Sequence, residues 1–280
     1  MNVKKYSGEL IPFNADSLKG SLAKSGASPE LTEKVYQTIT EKLYDGITTK
    51  ELYKIAFQEL KQLKNTYAAR YSLKKAMRDL GPEGFYFEKW VAALLKEGGF
   101  QTITGKIVQG NAVTHEIDVI AAKDTEMLAI ECKFRNDIDA KITVTTPMYF
   151  LSRFKDICDK SYTYFEKERK FTQGWLATNT YFTKDAINFA EYYHINLLSW
   201  DYPVDKSIKR RVDSAALYPI TCLTSITKLE KDKLLAKRCI LVKELAEQPE
   251  LLDDLTMTNA KKKRTLNEAH ELIKIKQEGA

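Results

Sequence analysis

The sequence predicts a multidomain α+β protein, with a helical bundle and β-hairpin first, an α/β domain in the centre and a small helical module last. The chain of 280 residues is long enough for about two domains and a third small one. The spacing of apolar residues changes from helical to strand-like after Gly81-Pro82 and becomes helical again after residue 205. The net charge changes at the same points, from +5 over residues 1–82 to −4 over 83–205 and +5 over 206–280.

The composition excludes several classes of protein. Hydrophobic residues make up 44% of the chain and charged residues 29%, a balance typical of globular proteins rather than disordered ones. The four cysteines are widely spaced and form no CxxC pair, which argues against a zinc cluster or a disulfide framework. No apolar leader or membrane-spanning run is visible. We therefore expect a cytoplasmic protein with reduced thiols and no membrane contact.

The first segment predicts a hairpin followed by helices. Two short runs, Val3–Ser7 and Glu9–Phe13, flank Gly8, which can adopt the positive φ of a tight turn. A helix that ends near Gly26 follows. Ser28-Pro29 then begins a second helix, with serine as the cap and proline in the first turn.

Two further helices complete this segment. Thr48 and Glu51 form the capping box of the third helix. The fourth helix is predicted from about Thr66 to Leu80, and Gly81-Pro82 ends it. We place the boundary of the first domain there, at residue 82.

The central segment, residues 83–205, combines helices with strands. A helix over Phe85–Lys96 comes first, and Gly98-Gly99 stops it. The strand-like runs are Gln101–Val108, Glu116–Ala122, Met127–Phe134, Gly174–Thr178 and Ile195–Trp200. A helical stretch around Ala186 separates the last two runs, which predicts a parallel crossover and an α/β layer.

Charged residues lie where two of these strands meet. Asp118 stands near the start of one strand, while Glu131 and Lys133 end the next. Residues i and i+2 of a strand project from the same face, so Glu131 and Lys133 point together. Pairing of the two strands brings Asp118 beside Glu131. The sequence thus predicts two carboxylates and an ammonium at one spot.

These groups suit the hydrolysis of a phosphodiester. Hard carboxylate oxygens bind Mg²⁺, which lowers the pKa of a bound water and offsets charge on the phosphate. Lys133 would orient or deprotonate that water. A plain surface ion pair between Glu131 and Lys133 is the alternative. The apolar runs Val119–Ala121 and Leu128–Ile130 bury both strands and favour the functional interpretation.

The order of these motifs resembles a known family. The run from Gly84 to Phe100, then Glu116-Ile117-Asp118, Glu131-Cys132-Lys133 and the segment from Gly174 to Ala190 are similar to an Mrr-like restriction endonuclease domain of the PD-(D/E)xK superfamily. The resemblance implies a mixed sheet and a metal-dependent DNA endonuclease. It also implies roles for particular residues: Mg²⁺ or Mn²⁺ bound by Asp118 and Glu131, catalysis by Lys133, and an acidic Glu88 that completes the site, often through water.

One departure from that family concerns the residues before Asp118. The family usually has glycines there, whereas this chain has Thr114-His115-Glu116. His115 either touches the scissile phosphate or shuttles a proton near neutral pH, or it is an exposed histidine at the loop edge. Glu116 is not expected to be a ligand.

The first segment resembles an ATP-cone domain over residues 1–80. Its matching motifs are Lys5 to Phe13, Ser25-Gly26-Ala27, Gly46 to Thr49 and Ala68 to Tyr71. The resemblance implies that ATP or dATP binds as an allosteric effector, in contact with Val3, Lys5, Asn14 and Thr49. Tyr6 and Ser17 stand where the family has basic residues. A bundle that no longer binds nucleotide is therefore the alternative, and the chain has no Walker loop for phosphoryl transfer.

The last segment, residues 206–280, is helical and basic. Around Leu223–Leu272 it faintly resembles a helix-hairpin-helix module. Its cations either follow a DNA backbone, with strong salt dependence, or form solvated faces. The candidate DNA contacts are Lys209, Arg210, Arg211, Lys261, Lys262, Lys263 and Arg264.

Two functions from different classes compete. The first is a metal-dependent DNA endonuclease tuned by an adenine nucleotide, with DNA and the nucleotide as partners. The second is a nucleotide-responsive DNA-binding regulator with an inactive nuclease fold. A nuclease for RNA or for branched or damaged DNA is also open, as is the oligomeric state, a homo-oligomer included.

Overall fold

A computed structural model describes residues 1–5, 7–81, 84–137 and 140–274. Tyr6, one of the two departures from the ATP-cone pattern, lies outside the described residues, as does Pro82 of the predicted domain boundary. The described chain is a multidomain α+β structure with a mixed central sheet and a helical C-terminal region, as the sequence predicts.

A small sheet and a helical bundle form the N-terminal region. Its elements are β1 (Asn2–Lys4), β2 (Leu10–Pro12), α1 (Ala15–Ala23), α2 (Pro29–Thr40), β3 (Ile47–Thr48), α3 (Thr49–Leu63), α4 (Asn65–Tyr71) and α5 (Leu73–Arg78). The predicted hairpin is present, with β1 antiparallel to β2 and Gly8 at a φ of +89°. The capping box of Thr48 and Glu51 begins α3. β3, which the sequence did not predict, pairs in parallel with β1.

Two helix ends differ from the prediction. The single helix predicted up to Leu80 is divided into α4 and α5 at Ser72, whose hydroxyl donates a hydrogen bond to the Ala69 carbonyl at 3.0 Å. Serine side chains compete with the helical backbone in this way. α1 ends at Ala23, and Gly26, with a φ of +85°, lies in the turn that follows.

The central region is a five-stranded sheet covered on both faces. Its elements are α6 (Phe85–Glu97), β4 (Gln101–Gln109), β5 (Thr114–Lys123), β6 (Glu126–Lys133), β7 (Lys141–Ile142), α7 (Thr145–Ile157), β8 (Ser161–Tyr164), β9 (Lys167–Lys170), β10 (Gln173–Thr178), β11 (Tyr181–Phe182), α8 (Lys184–Tyr192) and β12 (Asn196–Leu198). The strand order is β12-β10-β6-β5-β4. β4, β5 and β6 are antiparallel neighbours, whereas β6, β10 and β12 run parallel. The predicted parallel crossover is confirmed.

Sequence reasoning missed α7 and the β8–β9 hairpin. α7 has no side-chain cap at its N-terminus, so the usual start signal is missing. The hairpin turns through Phe165 and Glu166, both with positive φ, in place of the glycine or asparagine that marks such turns.

The apolar core determines which helix lies on which face. Phe87, Trp90 and other α6 residues pack with Val119 and Ala121 on one face of the sheet. Phe154 of α7 contacts the cluster on the opposite face. The ends of β5 and β6 therefore lie between two helical layers.

The C-terminal region touches both preceding regions. It contains α9 (Ile208–Ala215), α10 (Lys228–Ala236), α11 (Val242–Glu247) and α12 (Asn259–Lys274), with short 3-10 helices at Ile220–Cys222 and Pro249–Leu252. The Trp90 indole donates to the Leu217 carbonyl at 2.9 Å, and the Thr221 hydroxyl donates to the Ala76 carbonyl at 2.7 Å. One apolar core thus joins the three regions. Among the described helices, none is long and apolar enough to cross a membrane.

Candidate active site and nucleotide pocket

Asp118 lies against the end of β6. Its Oδ2 accepts a hydrogen bond from the Cys132 backbone N–H at 2.6 Å. The pairing of Val119 with Ile130 sets this register, one residue away. Asp118 therefore faces the pair of charged residues, Glu131 and Lys133, on either side of Cys132.

Glu131 is a buried carboxylate held between two cations. Its side chain is 7% exposed. The Lys133 ammonium contacts Oε1, and the Arg153 guanidinium contacts Oε2. A second Arg153 nitrogen donates to the Glu116 carbonyl. Arg153 thereby ties α7 to both strands that carry the predicted site.

Arg153 is the site residue that sequence reasoning missed. It lies on α7, 22 residues after Glu131 along the chain, in a stretch without a helix start signal. Only the fold brings it to the carboxylate, because α7 covers this face of the sheet.

Glu88 reaches the same group from α6. Gly84, in the left-handed conformation (φ +80°), precedes this helix. Burial, followed by the charge of Asp118, raises the pKa of Glu88 to about 7. Burial, followed by the charge of Glu131, raises the pKa of Asp118 to about 6. The structure thus brings all four predicted catalytic residues into one electrostatic cluster.

The cluster fits a hard divalent cation. Raised pKa values mark carboxyl groups whose charges are poorly compensated, a state that a bound cation relieves. Among the described residues, no three Asp, Glu, His or Cys side chains converge as a full ligand set. Mg²⁺ does not need such a set, because it is commonly held by one or two carboxylates, water and substrate phosphate. Asp118 and Glu131 meet that requirement.

The end of β10 fixes the backbone that follows Lys133. The Thr178 hydroxyl donates to the Lys133 carbonyl at 2.6 Å. The Asn179 side chain accepts from the Arg135 N–H and donates to the Arg135 carbonyl, both at 2.8 Å. Tyr181, two residues later, contacts the Lys74 ammonium of α5 through its hydroxyl and its ring. The N-terminal region therefore touches the segment that supports the site.

His115 is not an exposed residue at the loop edge, and that interpretation is wrong. Its side chain is 10% exposed, and its Nε2 lies 2.7 Å from Asp156 Oδ2. Asp156 also accepts hydrogen bonds from the N–H groups of Ala112 and Val113. These bonds, first that of His115, hold the pKa of Asp156 below its usual value. Asp156 thus holds the connection between β4 and β5, and His115 is its partner on β5.

A cavity lies in the N-terminal region. Its volume is about 210 Å³, and three of the four predicted nucleotide contacts line it: Val3, Asn14 and Thr49. Lys5 does not line it, since its ammonium pairs with Glu9 at 2.9 Å on the surface. The lining residues are all uncharged, and they include Ser17, where the family pattern has a lysine.

The basic runs of the C-terminal region are partly used within the fold. Lys261 pairs with Glu230 at 2.7 Å, and Lys262 pairs with Asp253 at 2.8 Å. Arg211 donates through Nε to a backbone carbonyl at 2.7 Å. DNA contact by these runs stays a prediction. The cations that already have partners within the fold are less available to bind phosphate than the sequence suggests.

Family models match three successive parts of the chain. The ATP cone domain matches residues 1–80, the Mrr-type restriction endonuclease domain residues 81–202, and an AF1548-like C-terminal domain residues 218–273. No helix-hairpin-helix model is among these matches, so that resemblance stays a prediction.

A curated protein and a solved structure each match most of the chain. An uncharacterized protein of Archaeoglobus fulgidus is 36% identical over 184 residues, which cover 65% of this chain and 99% of the relative. The crystal structure of AF1548, a protein of unknown function, is 35% identical with a TM-score of 0.55, and the match covers 68% of this chain and 97% of that one. The chain therefore belongs to the family of these relatives, as a member with an ATP cone domain, an Mrr-type restriction endonuclease domain and an AF1548-like C-terminal domain.

Proposed function

We propose that this protein is a metal-dependent DNA endonuclease whose phosphodiester hydrolysis is regulated by ATP or dATP bound to the ATP cone. The observation that carries the proposal is the meeting of Asp118, Glu131 and Lys133 at the end of β6 within a restriction endonuclease domain. The domain bounds that go with it are residues 1–82, 83–205 and 206–280, and the proposed location is the cytoplasm.

Each residue of the cluster has a distinct part in the proposed reaction. Asp118 and Glu131 would hold Mg²⁺ or Mn²⁺, which supplies a bound water of lowered pKa and offsets charge on the phosphate. Lys133, at the end of the same strand, would orient the attacking water or, as the neutral amine, take its proton. Arg153 holds the Glu131 carboxylate in position from α7. Glu88, with a pKa of about 7, can hold or release a proton near neutral pH.

The set of residues argues against the inactive alternative. An inactive fold is free to lose any of the three central groups, yet all three are present: Lys133 contacts Glu131, and Asp118 accepts a hydrogen bond from the Cys132 N–H between them. Activity on RNA or on branched or damaged DNA would use the same groups. Substrate assays rather than the cluster distinguish these cases.

Regulation has a direct physical route in this fold. Lys74 of the ATP cone lies 4.1 Å from the ring centroid of Tyr181. Tyr181 follows Asn179, which clamps the backbone of Arg135 behind Lys133. A shift of α5 on nucleotide binding would therefore reach the catalytic lysine through one short segment.

Nicking of labelled plasmid in Mg²⁺ tests the nuclease assignment. Asp118→Ala and Glu131→Ala should each abolish nicking and leave DNA binding nearly unchanged, because each removes a proposed metal ligand and no phosphate-binding cation. Lys133→Ala should also be inactive yet keep its metal affinity, while Glu88→Ala should be milder if it acts through water.

The matched control is Asp232→Ala, which removes an exposed carboxylate of α10 and should nick like the wild type. Nicking at the wild-type rate by both Asp118→Ala and Glu131→Ala would overturn the assignment.

A further inference from the structure

A cavity separate from the carboxylate cluster opens between α6, β4 and the segment that leads into α11. Its volume is about 430 Å³, and Asp118, Glu131 and Lys133 are not among its lining residues. Five cationic side chains line it: Lys89, Lys96, Lys106, Arg238 and Lys243. The proposed catalytic chemistry does not use these five cations, so their presence on one concave surface needs another explanation.

The acidic residues of this cavity are already engaged. Glu97 pairs with Lys243. Glu244 accepts hydrogen bonds from the backbone N–H groups of Ile240 at 2.7 Å and Leu241 at 2.9 Å. Within the described chain, neither carboxylate forms an ion pair with the remaining cations, and the five cations and two carboxylates together give the lining a net charge of +3.

Three of the cations have no such partner. The side chains of Lys96, Lys106 and Arg238 make no hydrogen bond or ion pair within the described parts of the chain. Arg238 has a φ of +64°, which is an uncommon backbone conformation for a residue other than glycine. An anion in the cavity would meet uncompensated positive charge from both walls.

The cavity wall also holds an unpartnered hydroxyl. Thr102 Oγ1 is buried and has no hydrogen-bond partner among the described residues. A buried polar atom normally has a partner, and its absence in a cavity wall is typical of a ligand or water site. Thr102 and the cations therefore point independently to a polar, anionic ligand.

Aromatic residues lie at the end of the cavity nearest the carboxylate cluster. Phe85 is 48% exposed. Its ring packs edge-on against that of Tyr86, with 5.4 Å between the ring centroids. The Lys89 ammonium lies 5.2 Å from the Phe85 ring centroid. Phe85 precedes Glu88 by about one turn of α6, so this part of the cavity lies next to the proposed catalytic site.

We propose that this cavity binds a single-stranded segment of the nucleic-acid substrate, with backbone phosphates at Lys106 and Arg238 and a base stacked on Phe85. The inference rests on the proposed nuclease function and assigns its substrate class, a nucleic acid with an unpaired segment beside the cleaved bond. Cationic grooves with aromatic rings are the usual means of binding single strands. A cavity of this volume takes a ligand of about the size of a nucleotide unit and excludes a base-paired duplex.

The test measures binding of a labelled oligothymidylate, and of a duplex of equal length, by fluorescence anisotropy in EDTA. Without divalent cation the readout is independent of cleavage, so failure of this inference and failure of the nuclease proposal give different results. The charge variant is Lys106→Gln with Arg238→Gln. Its control, Lys34→Gln with Lys233→Gln, removes the same charge from exposed lysines elsewhere.

The charge variant should bind the single strand at least about tenfold more weakly. Its affinity should also fall less steeply with salt, with a slope of log affinity against log salt that is smaller in magnitude by about 1.4, or 0.7 for each lost phosphate contact. Phe85→Ala should weaken single-strand binding about 5- to 150-fold through lost stacking. Duplex binding should stay as in the control for both variants.

Three results would overturn the inference. One is wild-type binding of the single strand by the charge variant. Another is an equal loss for duplex and single strand, which would make the cavity part of a general DNA surface. The third is loss of labelled ATP binding in the charge variant with oligothymidylate binding intact, which would assign the cavity to a nucleotide.

Discussion

The carboxylate cluster of the nuclease domain and the cavity of the ATP cone are built on opposite electrostatic principles. In the cluster, Asp118 and Glu131 are ionisable groups in a buried environment, and cations hold Glu131 from both sides. The cavity of the ATP cone has only uncharged lining residues, and the nearby Lys5 is paired on the surface. Charge therefore determines what the cluster can bind, whereas size and hydrogen-bonding groups determine what the cavity can bind.

This difference indicates which interactions select the ligand in each region. In the proposed function the cluster binds a divalent cation, so its behaviour should change with metal, pH and the loss of a cationic neighbour. The cavity can enclose the apolar and hydrogen-bonding parts of a nucleoside, while phosphates would extend to the hairpin lysines outside it. Loss of a charge should thus act on the cluster directly, and on nucleotide binding only through the hairpin lysines outside the cavity.

Among residues outside the four predicted catalytic ones, the largest effect is expected at Arg153. Arg153→Ala should lower plasmid nicking by about 10- to 100-fold, as loss of a supporting residue behind a metal ligand does. The free energy of unfolding should fall by about 1–3 kcal/mol, because Glu131 keeps Lys133 but loses a second buried partner. Nicking rates and thermal melting measure the two effects.

Arg153→Lys is the matched variant. It keeps the charge but loses the fork that reaches both Glu131 and the Glu116 carbonyl, so its activity should be intermediate. If Arg153→Ala nicks and melts like the wild type, Arg153 has no positioning role.

Nucleotide should stabilise the protein through the other region. ATP or dATP at a hundredfold excess over Kd should add about 2.7 kcal/mol to the free energy of unfolding, since it binds the folded state preferentially. Lys5→Ala should lose most of the shift in melting temperature. Glu9→Ala, which releases the Lys5 ammonium from its ion pair, should keep the shift or enlarge it.

No shift with either nucleotide at millimolar concentration would favour the alternative of an ATP cone that has lost nucleotide binding. The departures at Tyr6 and Ser17 would then have a functional consequence.

The pH dependence of stability should distinguish the cluster from the cavity. Asp118 has a folded-state pKa of about 6, raised by burial and by Glu131. The folded state therefore binds this proton more tightly than the unfolded chain, and the free energy of unfolding falls as the pH rises from about 4 to about 7. In EDTA the difference between wild type and Asp118→Asn over this window should be about 3 kcal/mol.

Saturating Mg²⁺ should remove this difference by favouring the ionised wild-type carboxylate. A free energy of unfolding with the same pH dependence in both proteins, measured in EDTA by chemical denaturation, would contradict the electrostatic account of the cluster.

Local signals explain how much of the fold was predictable. The hairpin at Gly8, the start of α3 at Thr48 and the meander up to Lys133 follow from turn residues, capping and alternation close together in sequence. α7 has no capping side chain and the β8–β9 turn has no glycine, so these elements depend on tertiary packing.

The candidate site divides in the same way. Asp118 and Glu131 lie on adjacent strands, and their proximity follows from register. Arg153 reaches Glu131 only because α7 covers the sheet, and Lys106 and Arg238 line one cavity only because the C-terminal region packs against α6. Contacts between distant segments carry no periodic signal, and resemblance to a family supplied roles but not these neighbours.

The central claim is that the two regions act on one another, and nucleotide affinity with and without DNA tests it most directly. The measurement uses Asp118→Ala, which should bind DNA without cutting it. The account predicts that DNA changes ATP or dATP affinity about 5- to 150-fold, that nucleotide changes DNA affinity by the same factor, and that Tyr181→Phe reduces both changes. Identical affinities with and without DNA, together with wild-type cleavage indifferent to both nucleotides, would contradict it.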